Sequence, residues 1–205
     1  MKDTVKIGIC GRSGSGKGYV CKLFASYGGL HIDTDAVYHS LLEPKDGEPS
    51  ECANAIARAF GKRMLKKDGT VDRRRLGKAV FSDREKLDAL NALVHPYIIN
   101  ETLKLAEETD APFALIDAPL LFESGVDSKC NFTVLVRADD ESCARRIVKR
   151  DGISEDEAKT RLSSQKETAS LAERCDYVID NSIGDDPAED VKKILSEKGL
   201  ITDEA

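Results

Sequence analysis

Val5-Lys6-Ile7-Gly8-Ile9-Cys10-Gly11-Arg12-Ser13-Gly14-Ser15-Gly16-Lys17-Gly18 decides the reading of this chain. Val5–Cys10 is an apolar run of strand length, and Tyr19-Val20-Cys21-Lys22-Leu23-Phe24 reads as the opening of a helix. Between them lies the spacing G-x-x-x-x-G-K. Glycines let the backbone turn so that successive N–H groups point inward at an anion. The helix that follows adds its positive N-terminal end, and Lys17 reaches the β- and γ-phosphates. A glycine-rich turn with no ligand would not need both the spacing and the strand-to-helix context. The expectation is an ATP site built from Arg12, Ser13, Gly14, Ser15, Gly16, Lys17, Gly18 and Tyr19.

Gly18 stands where Ser or Thr often gives magnesium a hydroxyl. Lys17-Gly18 resembles adenylate kinases and related small-molecule kinases, in which magnesium can be held more indirectly. Mg2+ is therefore expected to rest mainly on ATP oxygens and water, with Asp33, Asp35 or Asp117 in its inner or outer shell.

Outward from this loop, strand and helix alternate at the two ends of the chain. Leu30–Asp33, Phe113–Asp117, Phe132–Val136 and Tyr177–Asp180 read as further short strands, with a last helix over 187–198. A short helix over 36–42 ends at Glu43-Pro44 and leads into a polar loop. Residues 51–111 read as helices only. Ser82 and Glu85 form a candidate capping box for a long helix, which Pro96 breaks or restarts. Ser154 and Glu157 form another, opening a helix to about 168. Strands joined by helical crossovers predict an α/β fold: a three-layer α/β/α P-loop nucleoside-triphosphate hydrolase-like core on a parallel sheet. The expected core is 1–36, 112–138 and 176–205, with a helical insertion over 37–111 and a helical lid over 139–175.

Asp33 and Asp35 stand at the end of the second strand, and ligands of open parallel sheets bind beyond strand carboxyl ends. Two carboxylates there can orient a hydroxyl, accept its proton or hold magnesium through water; helix capping is the competing role for either. Asp117 ends an apolar strand as a Walker B aspartate does, a candidate for the magnesium shell through water. Arg145, Arg146 and Arg150 lie on one predicted helix. A solvated face is the default for such a run, but a lid needs mobile cations for the transferring phosphate. His31, Asp33, Asp35 and His39 can also be read as metal ligands. His31 and Asp33 precede the helix, no cysteine completes a closed site, and no dedicated transition-metal site is expected.

Composition sets bounds. The chain has 205 residues, 40% hydrophobic and 33% charged, which suits one compact domain with an insertion or lid. The net charge of −6 argues against general nucleic-acid binding. No apolar run is long enough to cross a bilayer, no signal peptide is visible at the N-terminus, and the cytoplasm is expected. The six cysteines show no C-x-x-C and read as small buried groups in a reducing compartment. Lys62, Arg63, Lys66, Lys67, Arg73, Arg74, Arg75 and Lys78 face only Asp68 and Asp72 in the same stretch. They form either a solvated face or a surface that attracts an anionic small molecule.

Taken in order, these segments resemble the dephospho-coenzyme A kinase family over nearly the whole chain. The carrying residues are the P-loop and Ile32-Asp33-Thr34-Asp35, followed by Val37 and Glu43-Pro44. Next come Asp72-Arg73 with Leu76-Gly77 and Val80-Phe81, then His95-Pro96. Asp117-Ala118-Pro119-Leu120-Leu121-Phe122-Glu123 follows, then Arg161-Leu162 with Gln165, and Asp176-Tyr177-Val178-Ile179-Asp180-Asn181. The resemblance implies transfer of the γ-phosphoryl group of ATP to the ribose 3′-hydroxyl of dephospho-coenzyme A, the last step of coenzyme A synthesis. It makes Asp35 the candidate general base with Asp33 in support, and assigns Lys17 and lid arginines Arg146 and Arg150 to the phosphoryl group. Arg73, His95, Leu120, Leu121, Phe122 and Glu123 would shape the acceptor pocket, residues 37–111 the acceptor domain, and Gln165 and Asn181 would lie near adenine. Two alternatives stand beside this. A nucleoside monophosphate kinase would share the P-loop but not the acceptor motifs. A non-catalytic nucleotide-binding protein would not need Lys17, both aspartates and the lid arginines together. Oligomeric state stays open.

Overall fold

The computed structural model describes residues 4–164 and 168–202, without the side chains of Thr168 and Ala169. Elements follow one another as β1 (Val5–Cys10), α1 (Lys17–Ser26), β2 (Leu30–Asp33), α2 (Thr34–Leu41), β3 (Pro44–Lys45), β4 (Glu48–Pro49), α3 (Glu51–Phe60), α4 (Arg73–Val80), α5 (Arg84–Glu107), β5 (Phe113–Asp117), β6 (Phe132–Arg137), α6 (Asp140–Asp151), α7 (Glu155–Ser163), α8 (Thr168–Ala172), β7 (Tyr177–Asp180) and α9 (Pro187–Glu197). The chain clusters into two compact units, Met1–Ile32 with Ala106–Ala205, and Asp33–Leu105.

In the first unit the sheet runs β2-β5-β1-β6-β7. β1 pairs in parallel with β5 on one side and β6 on the other, and β6 pairs in parallel with β7. These strands are near-continuous apolar runs, as parallel strands covered on both faces must be. Ile7, Ile9, Val134, Val136 and Ile179 share a core with Val20, Cys21 and Phe24 of α1 and Val191, Ile194 and Leu195 of α9. On the other face, a Cβ placed on Gly8 would meet Cys130 Sγ at 2.9 Å and Leu121 at 3.0 Å, so those side chains close over β1. The result is the flanked, mainly parallel α/β sheet that the alternation predicts. β1 lies between β5 and β6, so the chain leaves it in opposite directions, the switch point at which such sheets bind ligands. α6 and α7 add a small cluster of their own around Cys143, Ile147, Ala158 and Leu162.

The second unit packs Leu42, Ile56, Met64, Val71, Leu76, Val80, Leu90 and Val94 into a separate core. It departs from the helical reading in two places. The polar loop after α2 is a two-residue hairpin, β3–β4, turned by Asp46 and Gly47 at φ 54° and 84°; both central residues take the left-handed region that such turns demand. Leu65 and Val71 form an isolated antiparallel bridge within the stretch read as helix only.

Two further expectations are corrected. Pro96 neither breaks nor restarts a helix: it lies inside the 24-residue α5. One missing N–H costs a hydrogen bond, while buried Leu90 and Val94 before it and Thr102 and Ala106 after it keep both halves packed. The cap of α5 is Asp83 rather than Ser82; its Oδ1 accepts from the Lys86 N–H at 3.2 Å. Ser154 and Glu157 do form the expected reciprocal capping box of α7, but that helix stops at Ser163, short of 168.

Candidate active site

The phosphate loop joins β1 to α1. Gly16 caps α1 at φ 82° and Gly14 lies at φ 79°, both left-handed. Only glycine fits, for space as well as for φ. An added Cβ on Gly14 would stand 2.5 Å from the Cys143 carbonyl oxygen, and one on Gly16 would stand 2.1 Å from Asn181 Nδ2.

Residues from distant parts of the chain fasten this loop. Asn181, buried just after β7, donates from Nδ2 to the Ser15 carbonyl at 2.8 Å. Arg146 of α6 donates from Nη1 to the carbonyls of Gly14 and Ser15, each at 3.2 Å. Arg150 Nη2 donates to Ser13 Oγ at 3.2 Å and is also paired with Asp151. Arg12 Nη2 donates to the Ala138 carbonyl at 2.8 Å and to Asp140 Oδ1 at 2.6 Å. With its carbonyls taken from outside, the loop is held in one shape before any anion arrives, which lowers the ordering cost of binding. Ser15 Oγ is buried and has no hydrogen-bond partner among the described residues.

Lys17 opens α1, and its Nζ is paired with Asp117 Oδ1. The register explains why. Asp117 is the partner of Ile9 across β1 and β5, so its side chain emerges beside the start of the loop. Asp117 Oδ2 lies 3.3 Å from His31 Nε2 and accepts from Cys21 Sγ at 3.6 Å. Burial raises the carboxyl's pKa, but the hydrogen bond from His31 and the charge of Lys17 outweigh it, and Asp117 stands below the ordinary carboxylate value. Its contribution to stability is therefore present above the unfolded pKa and is lost as pH falls through the lower folded value.

In the second unit, Asp33 closes β2 and caps α2, its Oδ1 accepting from the N–H groups of Asp35 at 2.9 Å and Ala36 at 3.3 Å. Asp35 sits in the first turn of α2, exposed. Among the described residues its carboxylate has no hydrogen-bond or ion-pair partner. Of the two aspartates, Asp33 takes the capping role weighed from the sequence. Arg73, in the first turn of α4, is exposed, as are Lys62, Arg63, Lys66, Lys67, Arg74, Arg75 and Lys78. His95, in α5, is half-buried, and burial pushes its pKa below the ordinary value, so the imidazole is neutral at pH 7.

The segment after β5 divides its residues. Leu120 is exposed, Leu121 is buried against Gly8, and the Phe122 ring lies under the Arg174 guanidinium at 4.0 Å. Glu123 is exposed. Gln165 falls outside the described residues. Cys21 and His31 are the side chains that sequence reasoning did not bring to this place. The metal reading grouped His31 with Asp33, Asp35 and His39; His31 lies instead against Asp117, which also accepts from Cys21 of α1.

A model of the family described as dephospho-CoA kinase matches residues 5–186. A dephospho-CoA kinase from Corynebacterium glutamicum is 38% identical over 181 residues, 87% of this chain and 88% of that protein. A crystal structure of a protein from Thermus thermophilus superposes with a TM-score of 0.78 at 32% identity, covering 96% of this chain and 98% of the other. The dephospho-CoA kinase from Campylobacter jejuni superposes at 0.66 with 26% identity, covering 96% and 98%.

Proposed function

This chain belongs to the dephospho-CoA kinase family and catalyses ATP-dependent phosphorylation of dephospho-coenzyme A, and we propose which of its residues carry the transfer. The γ-phosphoryl group of ATP goes to the ribose 3′-hydroxyl, leaving coenzyme A and ADP. The observation that carries the assignment is a phosphate loop with left-handed Gly14 and Gly16, and Lys17 at its end beside Asp117.

Lys17 exchanges its partner. With no nucleotide it neutralises Asp117; with ATP it turns to the β- and γ-oxygens, and the backbone N–H groups of Gly14 to Gly18 hold the β-phosphate. Arg146 and Arg150 already lie on the loop, and in the transfer their spare N–H donors face the charge that develops on the phosphoryl oxygens. Asp35 takes the proton of the acceptor hydroxyl. Asp33 caps α2 through Oδ1 and so holds the helix that carries Asp35. Arg73, with Lys66 and Lys67 nearby in sequence, attracts the acceptor's phosphates. Leu120, Phe122, Glu123 and neutral His95 contact the rest of the acceptor. Asn181 shapes the loop from behind and sets the adenine side of the site only through it. Residues 37–111 are the acceptor domain and 139–175 the lid.

A kinase of ATP generally needs a divalent metal, and we assign Mg2+. Gly18 offers no side-chain oxygen, and Asp117 Oδ2 is engaged by His31 and Cys21. The remaining fit is Mg2+ on ATP oxygens and water, with Asp117, Asp33 and Asp35 reached through water. So held, the ion would neutralise charge on the β- and γ-oxygens. Among the described residues no helix is long and apolar enough to cross a membrane; the proposed compartment is the cytoplasm.

The test of the acceptor is direct. With ATP and Mg2+, dephospho-coenzyme A should give coenzyme A and one ADP per turnover, resolved by mass. Faster turnover with AMP or CMP would overturn the acceptor assignment. A second expectation concerns Gly18. Among the described residues, nothing beyond the chain neighbours and the helix's own backbone lies within 4 Å of a Cβ built there, so Gly18→Ser fits without strain and replaces the poorer helix former, a gain of a few tenths of a kcal/mol. The variant should melt no lower than the parent, turn over at a similar rate and need less Mg2+ for half-maximal activity. Unchanged Mg2+ dependence would show that position 18 lies outside the metal's shell.

A further inference from the structure

We propose that Cys21 Sγ, His31 Nε2 and Asp117 Oδ2 form a binding site for a thiophilic divalent cation of the zinc class. The three ligand atoms come from α1, β2 and β5, and all lie within 4.8 Å of one another. Their separations carry the argument. A tetrahedral ion with bonds of about 2.3 Å to sulfur and about 2.0–2.1 Å to nitrogen and oxygen sets its ligand atoms roughly 3.3–3.5 Å apart. Cys21 Sγ lies 3.6 Å from Asp117 Oδ2, and His31 Nε2 lies 3.3 Å from the same oxygen. Two of the three separations already match such a site, and the third lies within 4.8 Å. Without the ion the same atoms are hydrogen-bonded to one another.

The donor set selects the ion. A thiol, an imidazole and one carboxylate suit zinc and the metals that follow its preferences. Magnesium demands six oxygens in near-octahedral geometry. Three protein ligands leave a fourth corner for water. Cys21 is fully buried on α1, which fixes it in place, while the His31 side chain is 33% exposed and gives an ion its way in. Lys17 holds Oδ1, the other oxygen of Asp117, so the metal takes the oxygen that faces the cysteine and the histidine. Cys21 and His31 have no part in phosphoryl transfer as assigned above, while Asp117 belongs to both sites, so the test reads metal binding and not turnover.

Cobalt is the probe, because a bound thiolate gives Co2+ a charge-transfer absorption in the near ultraviolet that water and carboxylates do not. Titrating the full chain with Co2+ should produce that band with a break at one ion per chain, undiminished by excess Mg2+ and abolished by Zn2+. Cys21→Ala should lose the band. Changes to residues that merely support a metal's ligands already cost about 10–100-fold in affinity. His31→Ala, which alters a partly exposed residue and leaves the core intact, should therefore weaken Zn2+ at least about 100-fold, read by competition with a chromophoric chelator. The rival thiols are Cys10 and Cys175, whose sulfurs lie 3.8 Å apart; Cys175→Ala should keep the band. Absence of the band in the parent chain, its survival in Cys21→Ala, its loss in Cys175→Ala, displacement by Mg2+, or unchanged Zn2+ affinity in His31→Ala would each overturn the proposal.

Discussion

Lys17→Ala should lower turnover by on the order of 10²–10³-fold, the usual consequence of removing one preorganised electrostatic contact to developing charge. Two effects must be kept apart, because Lys17 is also the counter-ion of a buried carboxylate. Asp117 is 7% exposed, and stripped of its lysine it keeps only weaker partners, a loss on the order of 1–3 kcal/mol. The melting temperature should therefore fall as well. Adding Asp117→Asn removes the orphaned charge, so the double variant should regain most of the stability while turnover stays low. Steady-state rates beside thermal melts read both quantities. If the double variant recovered turnover along with stability, the role of Lys17 would be to neutralise Asp117, and its assignment to the transferring phosphate would fail.

Asp35→Asn should lower turnover by roughly 10²–10⁴-fold, the range for a positioned acid–base group, with little change in the affinity for a non-hydrolysable ATP analogue. The structure makes this a clean substitution. Asp35 is exposed in the first turn of α2, and its carboxylate has no partner among the described residues to lose. The one stabilising effect forfeited is that of a negative charge near a helix N-terminus, about 0.3–1 kcal/mol. Asp33 behaves differently. Asp33→Ala removes two hydrogen bonds to the start of α2 and should cost about 0.5–2 kcal/mol; Asp33→Asn keeps the cap and should be mild in stability. Turnover near that of the parent in Asp35→Asn would pass the role of base to Asp33.

The local part of this protein was legible from its residues alone. Strand and helix positions followed from apolar runs and periodicity, so Phe113–Asp117 and Tyr177–Asp180 appear as read. The P-loop was legible because its chemistry needs glycines and a lysine at fixed spacing. Ser154 with Glu157 was legible because a capping box closes within four residues. Where local signals competed, the reading failed. Ser82 and Asp83 are both good caps, and the structure uses Asp83; Pro96 is a helix breaker by propensity, and packing on both sides overrides it.

Every partnership across long sequence distance came from the folded arrangement of the strands. The sheet order places β5 beside β1, and from that alone Asp117 meets Lys17, a hundred residues away in the chain. Asn181 and Arg146 reach the backbone of Gly14 and Ser15 for the same reason: the ends of β6 and β7 lie on the other side of β1. No periodicity marks such residues, since the strand that carries each one could have been placed elsewhere in the sheet without changing its own pattern. Cys21, His31 and Asp117 show the limit most plainly. Each reads alone as a core thiol, an exposed imidazole and a strand-end carboxylate; α1, β2 and β5 have to be folded together before the three become one set of ligands.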